Sequence, residues 1–213
     1  TYKRAKLSKT IDELFICTDS EKIINVAKKF KCKYIKTKIN PTGTDRISEA
    51  SQKLNRNFDY YIDIQGDEPL IDPKHIDKVV NWHQKNSIFD IVVPSLVSRN
   101  IDSPNIVKII RSNKKVLFFS RAKVPYPFKK QNTKYLKHLS VISFKPEPLK
   151  KFKKLPVSNL EKIEGIELMR ALENEMLIGT FELKGNSFSV DTKDDFEKAE
   201  KFMINDKLKK KYK

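Results

Sequence analysis

Tyr60-Tyr61-Ile62-Asp63-Ile64-Gln65-Gly66-Asp67-Glu68-Pro69 reads as a short β-strand running into a polar turn, and Asp72-Pro73 behind it opens a helix through about His83. Proline suits a first helical turn because its missing N–H has no partner there anyway. The same alternation extends outward on both sides. LFICT at 14–18 is an apolar, partly β-branched run, after which Asp19 and Ser20 can cap a helix through about Phe30 with Ile23, Ile24, Val26 and Ala27 on its apolar side. KYIKT follows as a second strand, INPTGTDR as a loop, and Ile47 to Leu54 as a helix. Beyond the central stretch, DIVVPSLV reads as a buried strand. Strand–helix alternation of this kind predicts an α/β fold, a mostly parallel Rossmann-like sheet with helices on both faces.

The middle of the chain changes character. IVKII and VLFFS flank SNKK as an antiparallel hairpin, a Pro-rich loop follows, and YLKHLSVISF is extended. A mixed-sheet excursion is therefore expected from roughly 106 to 179. Ser158 to Glu161 forms a capping box for a helix striped with Ile163, Ile166, Met169 and Leu172. Thr192 to Asp195 forms another, opening a terminal helix with Phe196, Ala199 and Phe202 inward. The expected organisation is one α/β domain over 1–205 and a basic tail over 206–213.

Composition limits the function classes. Of the 213 residues, 38% are hydrophobic and 10% aromatic, enough to bury a core and to exclude a disordered chain. Charges interrupt every apolar run well short of the ~20 residues that cross a bilayer, so no membrane span is expected. Cys17 and Cys32 are the only cysteines, which excludes a disulfide scaffold or zinc ribbon and fits a reducing cytoplasm. The net charge of +17 invites a nucleic-acid reading, but it comes from 37 Lys and only 7 Arg scattered along the chain. Arginine is the usual bidentate reader of bases and phosphates, so no specific nucleic-acid partner is expected.

Several segments could carry chemistry. Gln65-Gly66-Asp67-Glu68-Pro69 lies at the carboxyl end of a strand, where open α/β sheets bind ligands, and a carboxylate there suits Mg²⁺ shared with phosphates. A solvated polar turn is the competing reading. Asp63, in mid-strand, is expected to pack beside the helix layer. Pro41-Thr42-Gly43-Thr44-Asp45-Arg46 offers glycine, hydroxyls and Arg at a helix N-terminus, either a phosphate or base pocket or an ordinary capped loop. Arg121 and His138 could meet a carboxylate or phosphate. His75 and His83 read as surface helix residues. Glu164, Glu167 and Arg170 read as an exposed salt-bridged ladder.

The order of these segments is more specific than any one of them. GTDR, QGDEP, VKII with FFSRAKVPY, YLKHL, LEKIEGIELMRAL and VDTKDDFEKAE together resemble the 3-deoxy-manno-octulosonate cytidylyltransferase family over about Leu14 to Phe202. The resemblance implies a cytoplasmic, homodimeric, Mg²⁺-dependent enzyme. Such an enzyme would join CTP to the acidic eight-carbon sugar 3-deoxy-D-manno-octulosonate (KDO), giving CMP-KDO and pyrophosphate for lipopolysaccharide biosynthesis. It implies Asp67 and Asp191 as metal ligands and, with Arg121, as catalytic groups. It implies Gly43, Arg46 and Asp67 about the nucleotide, and Gln65, Arg121, His138 and Glu167 about the sugar.

The chain also departs from that family. The family's N-terminal nucleotide motif, Pro-Ala-Arg leading to Arg-x-Pro-Gly-Lys, has no counterpart here, and a Gly-rich run after His138 is replaced by Leu139-Ser140-Val141-Ile142-Ser143-Phe144. The segment before Asp191, commonly Gly-rich, is Gly185-Asn186-Ser187-Phe188-Ser189. These departures lead to the expectation of a truncated, inactive copy lacking an opening strand and loop. Two alternatives stay open at this level: a cytidylyltransferase for a related acidic or amino sugar, and a non-catalytic basic nucleotide- or nucleic-acid-binding module.

Overall fold

A computed structural model describes residues 1–212 apart from 55, 99–101, 130–132 and 187. Parts of the Pro-rich loop, of the segment before Asp191 and of the basic tail thus lie outside the described residues. The first elements alternate as expected: α1 (Tyr2–Ala5), β1 (Ile16–Thr18), α2 (Glu21–Lys29), β2 (Tyr34–Lys36), α3 (Gly43–Gln52), β3 (Tyr61–Ile64) and α4 (Pro73–Lys85). Then come β4 (Ile91–Val92), β5 (Ser95–Ser98), β6 (Lys108–Ser112), β7 (Lys115–Ser120), β8 (Tyr135–His138) and β9 (Val141–Phe144). The last third holds α5 (Pro146–Lys154), α6 (Asn159–Glu164), α7 (Leu168–Glu173), β10 (Ile178–Gly179), β11 (Glu182–Leu183) and α8 (Lys193–Ile204).

Nine strands form one sheet in the order β11-β5-β8-β6-β7-β10-β4-β9-β3, and β1 pairs with β2 in a separate parallel sheet. Within the large sheet the parallel pairs are β4–β10 and β5–β11; the other pairings described are antiparallel. The α/β class holds, and the antiparallel part is larger than the strand–helix alternation alone foretold. The hairpin β6–β7 turns through Asn113, whose φ of 51° is a conformation Asn tolerates better than most residues.

Successive strand residues feed opposite faces of the sheet. Ile91, Ile142 and Phe144 join Leu149, Phe152, Leu168 and Met169 on one side, while Val92 and Val141 join Ile76, Val79 and Ala5 on the other. Helices therefore cover both faces. Beyond the edge of β3 lies a gap of about 180 Å³, between α3 and α4, walled by Phe15 and Cys17 from around β1, by Ile62 and Ile64 of β3, and by polar groups such as Asp12 and Gln84.

Several expectations fail for identifiable reasons. DIVVPSLV is two strands, because Pro94 lacks a ladder N–H; β4 then pairs with β9 and β10, and β5 with β8 and β11. YLKHLSVISF likewise divides between β8 and β9, which lie in different parts of the sheet. The single helix expected from Ser158 breaks at Gly165, which takes φ 61° as the left-handed cap of α6, so Ile163 is left 69% exposed. His75 and His83 are buried: His83 Nδ1 sits 2.8 Å from Ser143 Oγ and its Nε2 3.0 Å from the Phe89 carbonyl. On α8 only Ala199 is buried, while Phe196 and Phe202 are more than half exposed. At the start of the tail, the Asp206 carboxylate takes hydrogen bonds from Arg4 and from the Tyr212 hydroxyl.

Candidate active site

The carboxyl ends of β3 and β8, the start of α3 and the α6–α7 junction enclose a cleft of about 640 Å³. Gly43, Gln65, Asp67, Arg121, His138, Glu167 and Asp191 all line it. Their positions run from 43 to 191, so the convergence is a product of the fold and not of local sequence. Of the nucleotide, sugar and metal residues that the resemblance implied, Arg46 alone does not line the cleft. It reaches instead to Asp19 beyond β1 and, at 3.0 Å, to Thr37 Oγ1 beyond β2, tying α3 to the small sheet.

Asp67 and Asp191 meet at one end of the cleft. The Val190 N–H donates to the Asp67 carbonyl at 2.9 Å, which stitches the segment before α8 onto the turn after β3. Ser189 Oγ donates to Asp191 at 3.0 Å. Burial raises the Asp67 carboxyl above its ordinary value; its own backbone N–H opposes this, and the Asp191 charge adds to the rise. A carboxylate raised by burial and by a second carboxylate beside it is a fit for a hard divalent cation. Mg²⁺ keeps water and phosphate ligands beside one or two carboxylates, and no cluster of three or more ligating side chains occurs among the described residues. A Cβ added at Gly66 would stand in open space, and its φ is not left-handed, so the surrounding protein does not itself demand glycine there.

The N-terminus of α3 is filled by the protein's own groups. Thr42 Oγ1 accepts from the Asp45 N–H at 3.1 Å, and the Glu167 carboxylate accepts from the Thr44 N–H at 3.0 Å. Of the two readings of GTDR, the capped loop is the one described: a carboxylate already sits at this helix end, which the helix dipole favours. Gly43 remains at the cleft wall, where a Cβ would lie 3.2 Å from Gln65 Nε2 and 3.5 Å from Glu167 Oε1.

The expected exposed ladder is three separate contacts. Glu164 accepts from Ser120 Oγ and the Arg121 N–H, both at 2.8 Å. Glu167 caps α3. Arg170, only 2% exposed, donates to Glu161 (2.6 and 2.8 Å) and Asp45 (3.2 and 3.3 Å) and packs its guanidinium 4.3 Å from the Phe152 ring centroid. This buried triad locks the base of α3 to α6 and α7, and so fixes Gly43 relative to Glu167.

Arg121 is positioned by backbone. Its Nε donates to the Glu164 carbonyl at 2.8 Å, Nη1 to Pro104 at 2.7 Å and Nη2 to Gly165 at 3.1 Å. Carbonyls orient the guanidinium without neutralising it, so its charge still acts on the cleft. The buried Lys108 ammonium, which sequence reasoning missed, donates to the carbonyls of Ile106 (2.7 Å) and Arg121. Lys137 and Lys162 add cations to the lining. Burial, with Lys137 assisting, drives His138 down to about 4, so near neutrality it offers one neutral ring N–H and no charge.

Asp63 is the other residue that sequence reasoning undervalued. It is 4% exposed, and burial, then the nearby Glu167 charge, pushes its carboxyl up to about 7 against the help of Gln65. A carboxyl raised from 3.8 to about 7 holds its proton longer folded than unfolded, so the contribution of this group to stability is fully present below about pH 4 and is lost as pH rises towards 7. Asp63→Asn is expected to flatten that slope and to gain about 2–4 kcal/mol at pH 8 relative to the parent, read by urea unfolding at pH 5 and pH 8.

A mixed α/β sheet with a carboxylate after one strand and a second brought beside it from the segment before α8, over a cleft lined by cations, has the architecture of a nucleotidyltransferase. The family model described as Cytidylyltransferase matches residues 1–178. A 3-deoxy-manno-octulosonate cytidylyltransferase of Thermodesulfovibrio yellowstonii is 38% identical, over 94% of this chain and 85% of its own length. That of Rickettsia prowazekii is 41% identical, over 90% and 78% respectively. The solved structure of CMP:2-keto-3-deoxy-manno-octonic acid synthetase complexed with CTP superposes with a TM-score of 0.89 at 28% identity, covering 96% of this chain and 86% of that one. The chain belongs to the 3-deoxy-manno-octulosonate cytidylyltransferase family.

Proposed function

We propose that the protein transfers CMP from CTP to KDO, releasing pyrophosphate. The anomeric hydroxyl oxygen forms a bond to the α-phosphorus, the bond from that phosphorus to the β-phosphate bridging oxygen breaks, pyrophosphate departs, and the hydroxyl proton passes to solvent. The observation that carries this reading is the convergence of Asp67, Asp191, Gln65, Arg121, His138 and Glu167 on one cleft, in a chain 38–41% identical to relatives named for this reaction. Asp67 and Asp191 would hold Mg²⁺, which when bound supplies charge neutralisation between triphosphate and sugar. Arg121, Lys137 and Lys162 favour an anionic ligand electrostatically, while Gln65 and Glu167 supply hydroxyl partners. His138 would donate a neutral hydrogen bond to the sugar. In-line phosphoryl transfer needs little covalent help from protein, so positioning and charge stabilisation are the expected contributions. A cytoplasmic homodimer is part of the same reading, supported by family resemblance; among the described residues no helix is long and apolar enough to cross a membrane.

The test is phosphorus NMR of the protein with CTP, Mg²⁺ and either KDO or a nine-carbon acidic sugar. Pyrophosphate and a sugar phosphodiester with KDO are expected. Preference for the longer sugar would transfer the reading to a related substrate. Any affinity for DNA or RNA is expected to be sequence-independent and to fall at least tenfold between 50 and 200 mM salt, since scattered lysines act by counterion release. Filter binding over that range with two unrelated duplexes checks it, and tight salt-resistant binding to one of them would support a nucleic-acid module instead.

A further inference from the structure

Gln65 lines the cleft, but its amide is held from behind. Its Nε2 donates to Asp63 Oδ2 at 2.9 Å, and Asp63 itself is buried beneath the cleft wall. The three polar side chains Asp63, Gln65 and Glu167 converge on Gly43, whose missing Cβ would lie 3.7, 3.2 and 3.5 Å from them. Glu167 is already engaged by the Thr44 N–H, so Gln65 is the member of the group whose orientation depends on Asp63. An amide has one donor end and one acceptor end, and fixing the donor end decides what the other presents.

We propose that Asp63 is a positioning residue whose carboxylate captures Gln65 Nε2, so that the amide offers its oxygen to the cleft and accepts a hydrogen bond from a sugar hydroxyl. The inference rests on the reading of this cleft as a sugar site. It explains why a polar residue occupies mid-strand between Ile62 and Ile64. The groups that face Asp63 set its charge. Glu167, from the α6–α7 junction, and Asp67, from the turn after β3, oppose ionisation, and Gln65 favours it. Cys17 of β1 is near enough for the Asp63 charge, after burial, to raise its thiol. Burial first, and then Glu167 and Asp67, raise the Asp63 carboxyl to about 7, so that acidification below that removes the charge that holds Nε2. A protonated Asp63 becomes a donor, for which the amide oxygen is the partner; the amide then presents its NH₂ to the cleft.

Kinetics and NMR together test this. Asp63→Ala is expected to raise KM for KDO at least tenfold at pH 8 with kcat and KM for CTP within threefold. Asp63→Asn, which still accepts through its amide oxygen, is expected to restore KM for KDO to within threefold and to abolish its rise below about pH 7. In parallel, the Gln65 side-chain amide resonance of the ¹⁵N-labelled chain, assigned by its loss in Gln65→Glu, is expected to shift with pH about a midpoint near neutrality. It should be pH-independent in Asp63→Asn. A wild-type KM for KDO in Asp63→Ala, or a Gln65 resonance that ignores pH or titrates alike in both proteins, overturns the proposal. If the chain shows no turnover but the resonance behaves as expected, the sugar reading falls and the positioning of Gln65 by Asp63 stands.

Discussion

Asp67→Asn should lower turnover of CTP and KDO by at least two orders of magnitude while leaving the thermal melt within a few degrees of the parent. Asp67 lies at the cleft mouth, and the backbone carbonyl through which it anchors Val190 survives the substitution. The fold therefore loses little. The site loses one of its two carboxylates, the one raised by burial and by Asp191, and with it half the expected protein ligation of a divalent cation. Removing one charge-stabilising group of this type commonly costs ~3 kcal/mol of transition-state stabilisation, a factor of more than 100. Steady-state kinetics with saturating Mg²⁺ reads the effect. Asp67→Asn with near-parental kcat/KM would remove Asp67 from the catalytic machinery.

The second large effect is on stability. Arg170→Met, similar in length and apolar, leaves Asp45 and Glu161 buried without their cation. Asp45 is 2% exposed and Glu161 6%, so neither can recover its hydration without opening the α3–α6 contact. Losing one partner of a buried charge network costs ~3–5 kcal/mol, far more than an exposed pair contributes. Replacing all three residues by apolar ones of similar volume should recover much of that loss, because the penalty belongs to uncompensated charge and not to a lost attraction. Urea unfolding of the single and triple variants separates these outcomes. A single variant within 1 kcal/mol of the parent would mean the triad is solvated.

Much of this molecule is legible in its sequence, and the illegible parts share a cause. Strand–turn–helix punctuation placed β3, α4, the β6–β7 hairpin and the starts of α6 and α8 because those signals are local: a proline at a first turn, two apolar runs flanking a short polar turn, side-chain caps at Ser158 and Thr192. The segments that fill the cleft were also foreseen, chiefly through their order along the chain. Arg170 was misread because the run Glu164, Glu167, Arg170 assumed one continuous exposed helix, whereas Gly165 ends α6 between Glu164 and Glu167 and Arg170 lies buried on the separate α7. His83 was misread because β9 supplies Ser143 from 60 positions away, a partner no helical pattern reveals. Asp63 did carry a signal, a carboxylate in mid-strand, but only the neighbouring Gln65, Gly43 and Glu167 give it a purpose.

The central claim is that Asp67 and Asp191, 124 positions apart in sequence, act as one cation site. Mn²⁺ binding in the presence of CTP, followed by electron paramagnetic resonance for the parent, Asp67→Asn, Asp191→Asn and the double variant, tests it most directly. If the two carboxylates share one ion, each single variant should weaken Mn²⁺ binding at least tenfold, and the double variant should be little worse than either single one. Independent sites would instead leave each single variant with one Mn²⁺ bound at parental affinity and only the double variant without any, and unchanged binding in either single variant would contradict the shared site outright.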